Sequence, residues 1–207
     1  MNSVGTKSSL AVVLSQLSAF RHSHTYAEQY PTDSEIAAAV LWNAYMNGDI
    51  SSKTIADLGA GTGILGIGCL LLGAKKVYFV DSDADALEIA KENLASVDKT
   101  LAKKAVFIAA DIKEFNEHAD AVVMNPPFGT KKIHADKIFL EQAFRIADVI
   151  YSFHKAESKG FLAAFSSDNG FSITHMWEFD FPIKQTMEFH TKKIHRFKVI
   201  AARFESC

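Results

Sequence analysis

The stretch Asp57-Leu58-Gly59-Ala60-Gly61-Thr62-Gly63 joins a short apolar run to an apolar helical segment. Its three glycines allow a tight turn and let a ligand lie close to the backbone. The N-terminal amides of the helix that follows can donate hydrogen bonds to that ligand. The stretch therefore predicts a strand, a ligand-binding loop and a helix, in that order.

Working outward from this loop, strands and helices alternate along the chain. The predicted strands are Thr54–Asp57, Val77–Asp81, Ala105–Ala109, Ala121–Met124 and Val149–His154, and the predicted helices are Ile64–Leu72, Asp83–Ala95, Lys137–Asp148 and Ser158–Asp168. Repeated strand–helix units build a parallel sheet with helices on both faces. Apolar and polar residues alternate along Ile173–Phe179 and Arg196–Phe204, which is typical of an antiparallel pair of strands. The fold class is thus α/β, with three layers and a mostly parallel sheet that ends in a C-terminal antiparallel hairpin.

A further helix is expected to begin at Tyr30-Pro31-Thr32. Thr32 and Glu35 have the spacing of a capping box, and Asn47-Gly48 is expected to end the helix. Residues 1–30 form an N-terminal extension with a short helical pattern around Leu10 to Leu17.

Composition is that of an ordinary globular protein, with 207 residues, 48% hydrophobic residues and a net charge of −2. These values predict a single domain, residues 1–207. A charge near zero gives no support for general polyanion binding, so any basic patch must be local. No apolar run is long enough to span a bilayer, and residues 1–9 lack the order of a secretory signal. Cys69 and Cys207 are far apart, which argues against a disulfide scaffold and a cysteine-based zinc site and fits the cytoplasm.

The strand Ala121–Met124 is followed by Asn125-Pro126-Pro127-Phe128. The two prolines end the strand, because proline cannot donate to a sheet and restricts the residue before it. Ligands bind at the carboxyl ends of strands in open α/β sheets. The Asn125 side chain and the Pro126 backbone each offer a carbonyl acceptor, and Phe128 offers a flat apolar face. Two acceptors and a stacking ring suit a planar group that carries an NH2.

This tetrapeptide resembles the catalytic motif of the amino-group (N6-adenine and related) S-adenosylmethionine-dependent methyltransferases. The longer run Asn125–Lys131 is similar to the ribosomal-RNA adenine N6-methyltransferases of archaea and eukaryotes, the methyltransferase-like-five group. Glu28-Gln29-Tyr30-Pro31-Thr32 and Phe189-His190 with Lys192-Lys193 also resemble that group's signatures. The resemblance spans roughly residues 26 to 204 as a pattern of motifs. It implies the Rossmann-like class I methyltransferase fold.

The glycine loop alone leaves two cofactors open. Gly59-x-Gly61-x-Gly63 is the methyltransferase spacing, whereas Gly61-x-Gly63-x-x-Gly66 satisfies the dinucleotide fingerprint. Asp81, at the end of the second strand, would bind ribose hydroxyls in either case. Three features favour S-adenosylmethionine, namely Asp57 at the start of the loop, Asp111-Ile112 after the third strand, and the tetrapeptide, which has no role in hydride transfer.

The resemblance also implies roles for these residues. Asp57 would lie near the methionine part of the cofactor, the Asp111 carboxylate would accept from the adenine amino group, and the Ile112 N–H would donate to the ring. The alternatives are an Asp111 that only caps a turn and a solvated Asp81. The predicted cofactor-binding residues are Gln29, Thr32, Asp57, Gly59, Gly61, Gly63, Asp81, Ser82, Asp111, Ile112 and Asn125.

The predicted reaction transfers a methyl group from a sulfonium to an exocyclic amino nitrogen. Hydrogen bonds from that NH2 to Asn125 and Pro126 would aim its lone pair and stabilise the positive charge that develops. Phe128 would stack on the base, although packing in the core is its alternative role. Asn125, Pro126 and Phe128 are therefore the predicted catalytic residues.

The C-terminal stretch is locally basic, and phenylalanines lie between its charges. The basic residues are Lys184, Lys192, Lys193, Arg196, Lys198 and Arg203, and the aromatic ones are Phe181, Phe189 and Phe197. This pattern suits RNA phosphates and unstacked bases, with a solvated hairpin as the alternative. The predicted RNA-binding residues are Lys131, Lys132, Lys192, Lys193 and Arg196. His154 either lines the pocket or is an ordinary buried histidine.

The chain is too short for a separate target-recognition domain, so the folded RNA or a partner must help to select the site. The resemblance implies a small zinc-binding activator subunit that adds a strand to the sheet. Ala105–Ala109, expected to lie last on one side, would be the exposed edge that accepts it. No metal site is expected in the chain itself.

The sequence thus predicts N6-methylation of adenine in RNA, most readily small-subunit ribosomal RNA. The same acceptor geometry also serves glutamine amides in proteins, although that family usually has Tyr where this chain has Phe128. DNA adenine is a further alternative, which the missing recognition domain disfavours. From another class, an NAD-dependent oxidoreductase is supported only by the spacing from Gly61 to Gly66.

Overall fold

The computed structural model describes residues 4–18, 32–127, 135–182 and 196–207. The helices are α1 (Lys7–Ser15), α2 (Ser34–Met46), α3 (Ile64–Leu71), α4 (Ala84–Val97), α5 (Ala135–Ile146) and α6 (Lys159–Asp168). The strands are β1 (Thr54–Leu58), β2 (Lys76–Asp81), β3 (Ala105–Ala109), β4 (Ala121–Met124), β5 (Val149–Lys155), β6 (Phe171–Pro182) and β7 (Arg196–Ser206). The predicted elements are all present, and their ends differ from the prediction by a few residues.

These strands form one sheet in the order β3-β2-β1-β4-β5-β7-β6. Strands β1 to β5 run parallel, and β7 is antiparallel to both of its neighbours, β5 and β6. The prediction of a parallel sheet that ends in an antiparallel hairpin is therefore confirmed. The strand Ala105–Ala109 lies at one edge, as predicted.

Two apolar cores lie on the two faces of the sheet. One core joins residues of α1 to α4 to β-strand residues such as Phe79. The other joins α5 and α6, through Leu140 and Leu162, to residues such as Leu58. The helices therefore form layers on both sides of the sheet, which confirms the three-layer prediction. Among the described helices, none combines the length and the apolar character that a membrane crossing requires.

Helix α2 begins at a different capping residue from the one predicted. The Asp33 carboxylate accepts hydrogen bonds from the N–H groups of Glu35 (3.0 Å) and Ile36 (3.2 Å). The capping-box prediction for Thr32 is wrong, because the carboxylate of the next residue, Asp33, accepts from the N–H groups of the helix instead. The Thr32 hydroxyl is therefore available for another contact.

The strand order reverses at β1, which has β2 on one side and β4 on the other. Leu58, the last residue of β1, pairs with Met124, the last residue of β4. The glycine loop and Asn125 therefore leave the sheet side by side. Such a switch point opens a crevice beyond the carboxyl ends of the strands, where ligands of this sheet type bind.

Candidate active site

The loop after β1 is held in a conformation that suits glycine. Gly59, Gly61 and Gly63 have φ values of +69°, +52° and +87°, which other residues adopt only with strain. The N–H groups of Gly59 and Ala60 both donate to the Val80 carbonyl oxygen, at 2.8 Å and 3.1 Å. A Cβ on Gly59 would lie 2.9 Å from Cε1 of Phe139. The loop thus presents bare backbone at the crevice, as a closely approaching ligand requires.

Asp81, at the end of β2, holds the turn of this loop. Its Oδ2 accepts a hydrogen bond from the Gly61 N–H (2.7 Å), and its Oδ1 accepts one from the Asp83 N–H (2.9 Å). Burial raises the pKa of Asp81, while these N–H groups lower it in part. The alternative of a solvated Asp81 is wrong, since the residue is 7% exposed. A carboxylate keeps further lone pairs for ligand hydroxyls.

Asp57, in β1, lies beneath the loop and is 1% exposed. Its Oδ2 accepts a hydrogen bond from the Gly66 N–H (2.8 Å) in the first turn of α3. Burial, with a smaller contribution from the nearby Asp81 charge, raises the pKa of Asp57 to about 7, against the lowering effect of the Gly66 N–H. Two neighbouring buried carboxylates favour a cation in the crevice above them.

The predicted adenine-binding pair follows β3. Asp111 is exposed, and its Oδ1 accepts a hydrogen bond from the Lys113 N–H (3.0 Å), which starts a short 3-10 turn. The capping role of Asp111 is therefore present, and it leaves Oδ2 for a ligand. The Ile112 side chain is buried in the core, and Ser82 is exposed directly after β2.

Asn125 and Thr32 meet across 93 positions of sequence. Asn125 Nδ2 donates a hydrogen bond to Thr32 Oγ1 at 2.9 Å. Asn125 Oδ1 is buried and accepts no hydrogen bond from the part of the chain that the structure describes. Pro126 is buried next to it. The corner after β4 therefore holds an amide with one end anchored and its acceptor end unused.

Several predicted residues lie outside the described part of the chain. These are Gln29, Phe128, Lys131, Lys132, Lys192 and Lys193, together with the Tyr30-Pro31 pair of the N-terminal signature. Arg196 is placed only as the first residue of β7.

The structure decides the roles of three further residues named from the sequence. His154 is 1% exposed, its Nε2 lies 2.7 Å from Ser152 Oγ, and burial lowers its pKa to about 3, so it is an ordinary buried histidine. Arg203 is buried and donates to Asp49 Oδ2 at 2.8 Å. Lys198 pairs with Glu178 at 2.6 Å. Counting Arg203 as part of a basic RNA surface was wrong, because its charge is used inside the fold.

Asn93, which the sequence analysis did not single out, links the glycine loop to the N-terminal region. Its Nδ2 donates to the carbonyl oxygens of Thr62 (3.0 Å) and Ser18 (3.1 Å), and its Oδ1 accepts from the Ser18 N–H (2.8 Å). Its signal in the sequence was a polar residue within the apolar face of α4. Phe139, which packs against Gly59, carried no comparable signal.

Bare glycine backbone, buried carboxylates beneath it and an unused amide acceptor beside it meet at the switch point of this sheet. This combination defines a class I methyltransferase. The donors and acceptors fit S-adenosylmethionine, since Asp81 and Asp111 stand at the ends of neighbouring strands, where ribose hydroxyls and an adenine amino group need acceptors.

Comparisons with known proteins agree with this class. Residues 32–148 match the family described as Methyltransferase small domain. The chain is 32% identical to the rRNA N6-adenosine-methyltransferase METTL5 of Danio rerio, covering 92% of this chain and 94% of the relative. The crystal structure of PH1948 from Pyrococcus horikoshii, a candidate RNA methyltransferase, superposes with a TM-score of 0.87 at 43% identity, covering 97% of each chain. Magnesium protoporphyrin IX methyltransferase of Synechocystis with bound S-adenosylmethionine shares the fold, with a TM-score of 0.63 at 17% identity over 82% of this chain and 78% of that one.

The chain belongs to the Methyltransferase small domain family and, within it, to the group that contains METTL5. The predicted resemblance to the methyltransferase-like-five group is thus confirmed, as are an S-adenosylmethionine-dependent methyltransferase activity and its cofactor. Of the two cofactors that the glycine loop left open, the dinucleotide is therefore excluded.

Proposed function

We propose that this protein methylates the exocyclic N6 of adenine in RNA, and specifically in small-subunit ribosomal RNA. The observation that carries the proposal is Asn125 Oδ1, a buried acceptor that is unused by the described part of the chain and stands beside the glycine loop. A buried acceptor without a donor is costly, so a ligand N–H at this point is favourable. METTL5, named as an rRNA N6-adenosine methyltransferase, supports the choice of RNA as the substrate.

S-adenosylmethionine supplies the methyl group when it is bound. Asn125 Oδ1 and the Pro126 carbonyl oxygen would each accept one N–H of the adenine amino group, which turns the nitrogen lone pair toward the methyl donor. The same two oxygens stabilise the positive charge that develops on the nitrogen. The nitrogen becomes acidic as it gains that charge and then loses a proton, so no strongly basic side chain is required. Phe128 is proposed to stack on the base.

The cofactor would be held by residues of three strand ends. The backbone of Gly59, Gly61 and Gly63 would face its methionine part, Asp81 its ribose, and Asp111 with Ile112 its adenine. Gln29 and Ser82 complete the proposed pocket, Thr32 borders it through its hydrogen bond with Asn125, and Asp57 supports it from below.

RNA contact and a protein partner are parts of the same proposal. Lys131, Lys132, Lys192, Lys193 and Arg196 would bind RNA phosphates, which predicts binding that weakens steeply with added salt. The partner would be a small zinc-binding subunit that adds a strand to β3. The backbone N–H and C=O groups on the outer side of β3 face no strand of the described chain. Edge strands of this kind can pair with a strand of a partner.

We further propose that residues 1–207 act as a single methyltransferase domain in the cytoplasm. The two cysteines of the described chain, Cys69 and Cys207, are unpaired, which suits a reducing compartment.

The test is methylation of ribosomal RNA purified from cells that lack the gene. Isotope-labelled S-adenosylmethionine is added with the protein, alone or with a small zinc-binding subunit, and N6-methyladenosine is mapped by mass spectrometry. We expect label at an adenine of the small-subunit RNA. Asn125→Ala should lower kcat at least about 100-fold while the Kd for S-adenosylmethionine, measured by calorimetry, stays unchanged.

Asn169→Ala is the matched control, because Asn169 lies at the far end of α6 and its side chain donates to the Phe165 carbonyl oxygen. It should keep full activity. Activity retained by Asn125→Ala, or label found in protein or DNA in place of RNA, would overturn the proposal.

A further inference from the structure

Thr32 makes a contact that helix capping does not require. Asp33 already binds the first free N–H groups of α2, so the Thr32 hydroxyl has no role in starting the helix. The residue is 9% exposed, and its Oγ1 lies 2.9 Å from Asn125 Nδ2. The start of α2 and the corner after β4 are thus joined by one side-chain hydrogen bond.

The two ends of the Asn125 amide have opposite hydrogen-bonding character. Oδ1 is an acceptor and suits an amino group, whereas Nδ2 is a donor and would point its N–H at another N–H. Rotation of the amide by half a turn would exchange the two ends. In the structure the Thr32 oxygen accepts from Nδ2, so the amide is anchored by its donor end and Oδ1 is left free.

We propose that Thr32 is a positioning residue for methyl transfer, whose hydroxyl keeps the Asn125 amide turned with its acceptor toward the substrate amino group. This inference rests on the proposed function. A dipole that is fixed before the reaction needs no reorganisation when charge develops on the nitrogen, which is the source of electrostatic preorganisation. The expected signature is a lower kcat with unchanged cofactor affinity, since the interaction acts on the transition state.

The experiment compares Thr32→Val, Thr32→Ala and Thr32→Ser with the wild type on the small-subunit RNA. The two variants without a hydroxyl should lose about tenfold or more in kcat at saturating S-adenosylmethionine. Thr32→Ser keeps the oxygen and should stay within about twofold of the wild type. Calorimetry should give the same Kd for S-adenosylmethionine in all four proteins.

Asp33→Ala is the matched control at the same helix end. It removes the cap and lowers the melting temperature, but it leaves Thr32 and Asn125 in place, so kcat should not change.

If Thr32→Val does not fold, the comparison of Thr32→Ala with Thr32→Ser tests the inference. A raised Kd with normal kcat would assign Thr32 to cofactor binding alone and overturn the inference, as would a Thr32→Ser variant as slow as Thr32→Val. A wild-type protein that binds S-adenosylmethionine but leaves RNA adenine unmodified would instead overturn the proposed function.

Discussion

At the scale of single residues, the site depends on polar groups that are buried at a cost. Asp57 is the clearest case, because it is 1% exposed and accepts one backbone N–H. One hydrogen bond does not replace the hydration of a carboxylate, so the folded protein holds the Asp57 proton more tightly than the unfolded chain does. A carboxylate buried in this position lowers the stability of the fold, and ionisable groups that are buried at such a cost are typical of ligand-binding sites.

The pKa of Asp57 predicts how stability depends on pH. Its value rises from 3.8 to about 7 on folding, so between these values the folded state binds more protons than the unfolded state. The contribution of Asp57 to the free energy of unfolding should therefore fall as pH rises through this window, by at most about 4 kcal/mol, and stay constant above it. Urea unfolding of the wild type and Asp57→Asn from pH 5 to pH 8 measures it.

Asp57→Asn keeps an acceptor for the Gly66 N–H but carries no ionisable group. Its stability relative to the wild type should therefore increase from pH 5 to pH 8. A difference that is the same at both pH values would contradict the raised pKa of Asp57.

At the scale of elements, the glycines of α3 set how closely this helix approaches its neighbours. A Cβ on Gly66 would lie 2.3 Å from Cε1 of Phe79, and one on Gly68 would lie 2.4 Å from Cδ1 of Leu41. Phe79 is fully buried and stacked on Phe107, with ring centroids 4.7 Å apart. The helix that begins at the cofactor loop is thus packed directly on the sheet and on α2.

Gly66→Ala should destabilise the fold despite the better helix propensity of alanine. The fixed Phe79 ring cannot move aside, so overpacking should lower the free energy of unfolding by about 2 kcal/mol. Gly160→Ala, in α6, is the control, because its Cβ would have nothing within 4 Å, and it should be neutral or stabilising by up to about 1 kcal/mol. Urea unfolding compares the two, and equal effects would contradict the packing argument.

At the scale of the whole molecule, the buried ion pair of Arg203 with Asp49 connects distant parts of the chain. Arg203 in β7 donates to Asp49, which follows α2, and to Thr174 Oγ1 in β6 at 2.8 Å. The Tyr151 hydroxyl, from β5, donates to the same Asp49 carboxylate at 2.6 Å. The hairpin is thereby fixed to the helix layer on one face of the sheet.

Arg203→Ala should be strongly destabilising, because it leaves the Asp49 charge largely buried without its partner. We expect the free energy of unfolding to fall by about 3 kcal/mol. Lys198→Ala is the control on the same strand. It removes a salt bridge with Glu178 that is exposed, so stability should hardly change. Similar losses in both variants, measured by thermal unfolding, would contradict the structural role of Arg203.

The sequence was a good guide to elements and a poorer guide to individual side chains. Strand and helix patterns are local, and the order of the motifs placed β3 at the edge and Asn125 beside the glycine loop. Thr32 and Arg203 were misjudged, since the partner of each lies far away in sequence and could not be inferred from spacing. Asn93 was missed for the same reason, because its bonds to Thr62 and Ser18 exist only once α4 packs on the loop.

By itself, the sequence determined the α/β alternation, the glycine loop and the proline corner after β4, because periodicity, backbone freedom and proline geometry act over a few residues. Only the tertiary structure decided which polar groups are buried, which end of the Asn125 amide is anchored, and which charges are paired. Those outcomes depend on desolvation and on contacts between residues that meet when the sheet and its helices assemble.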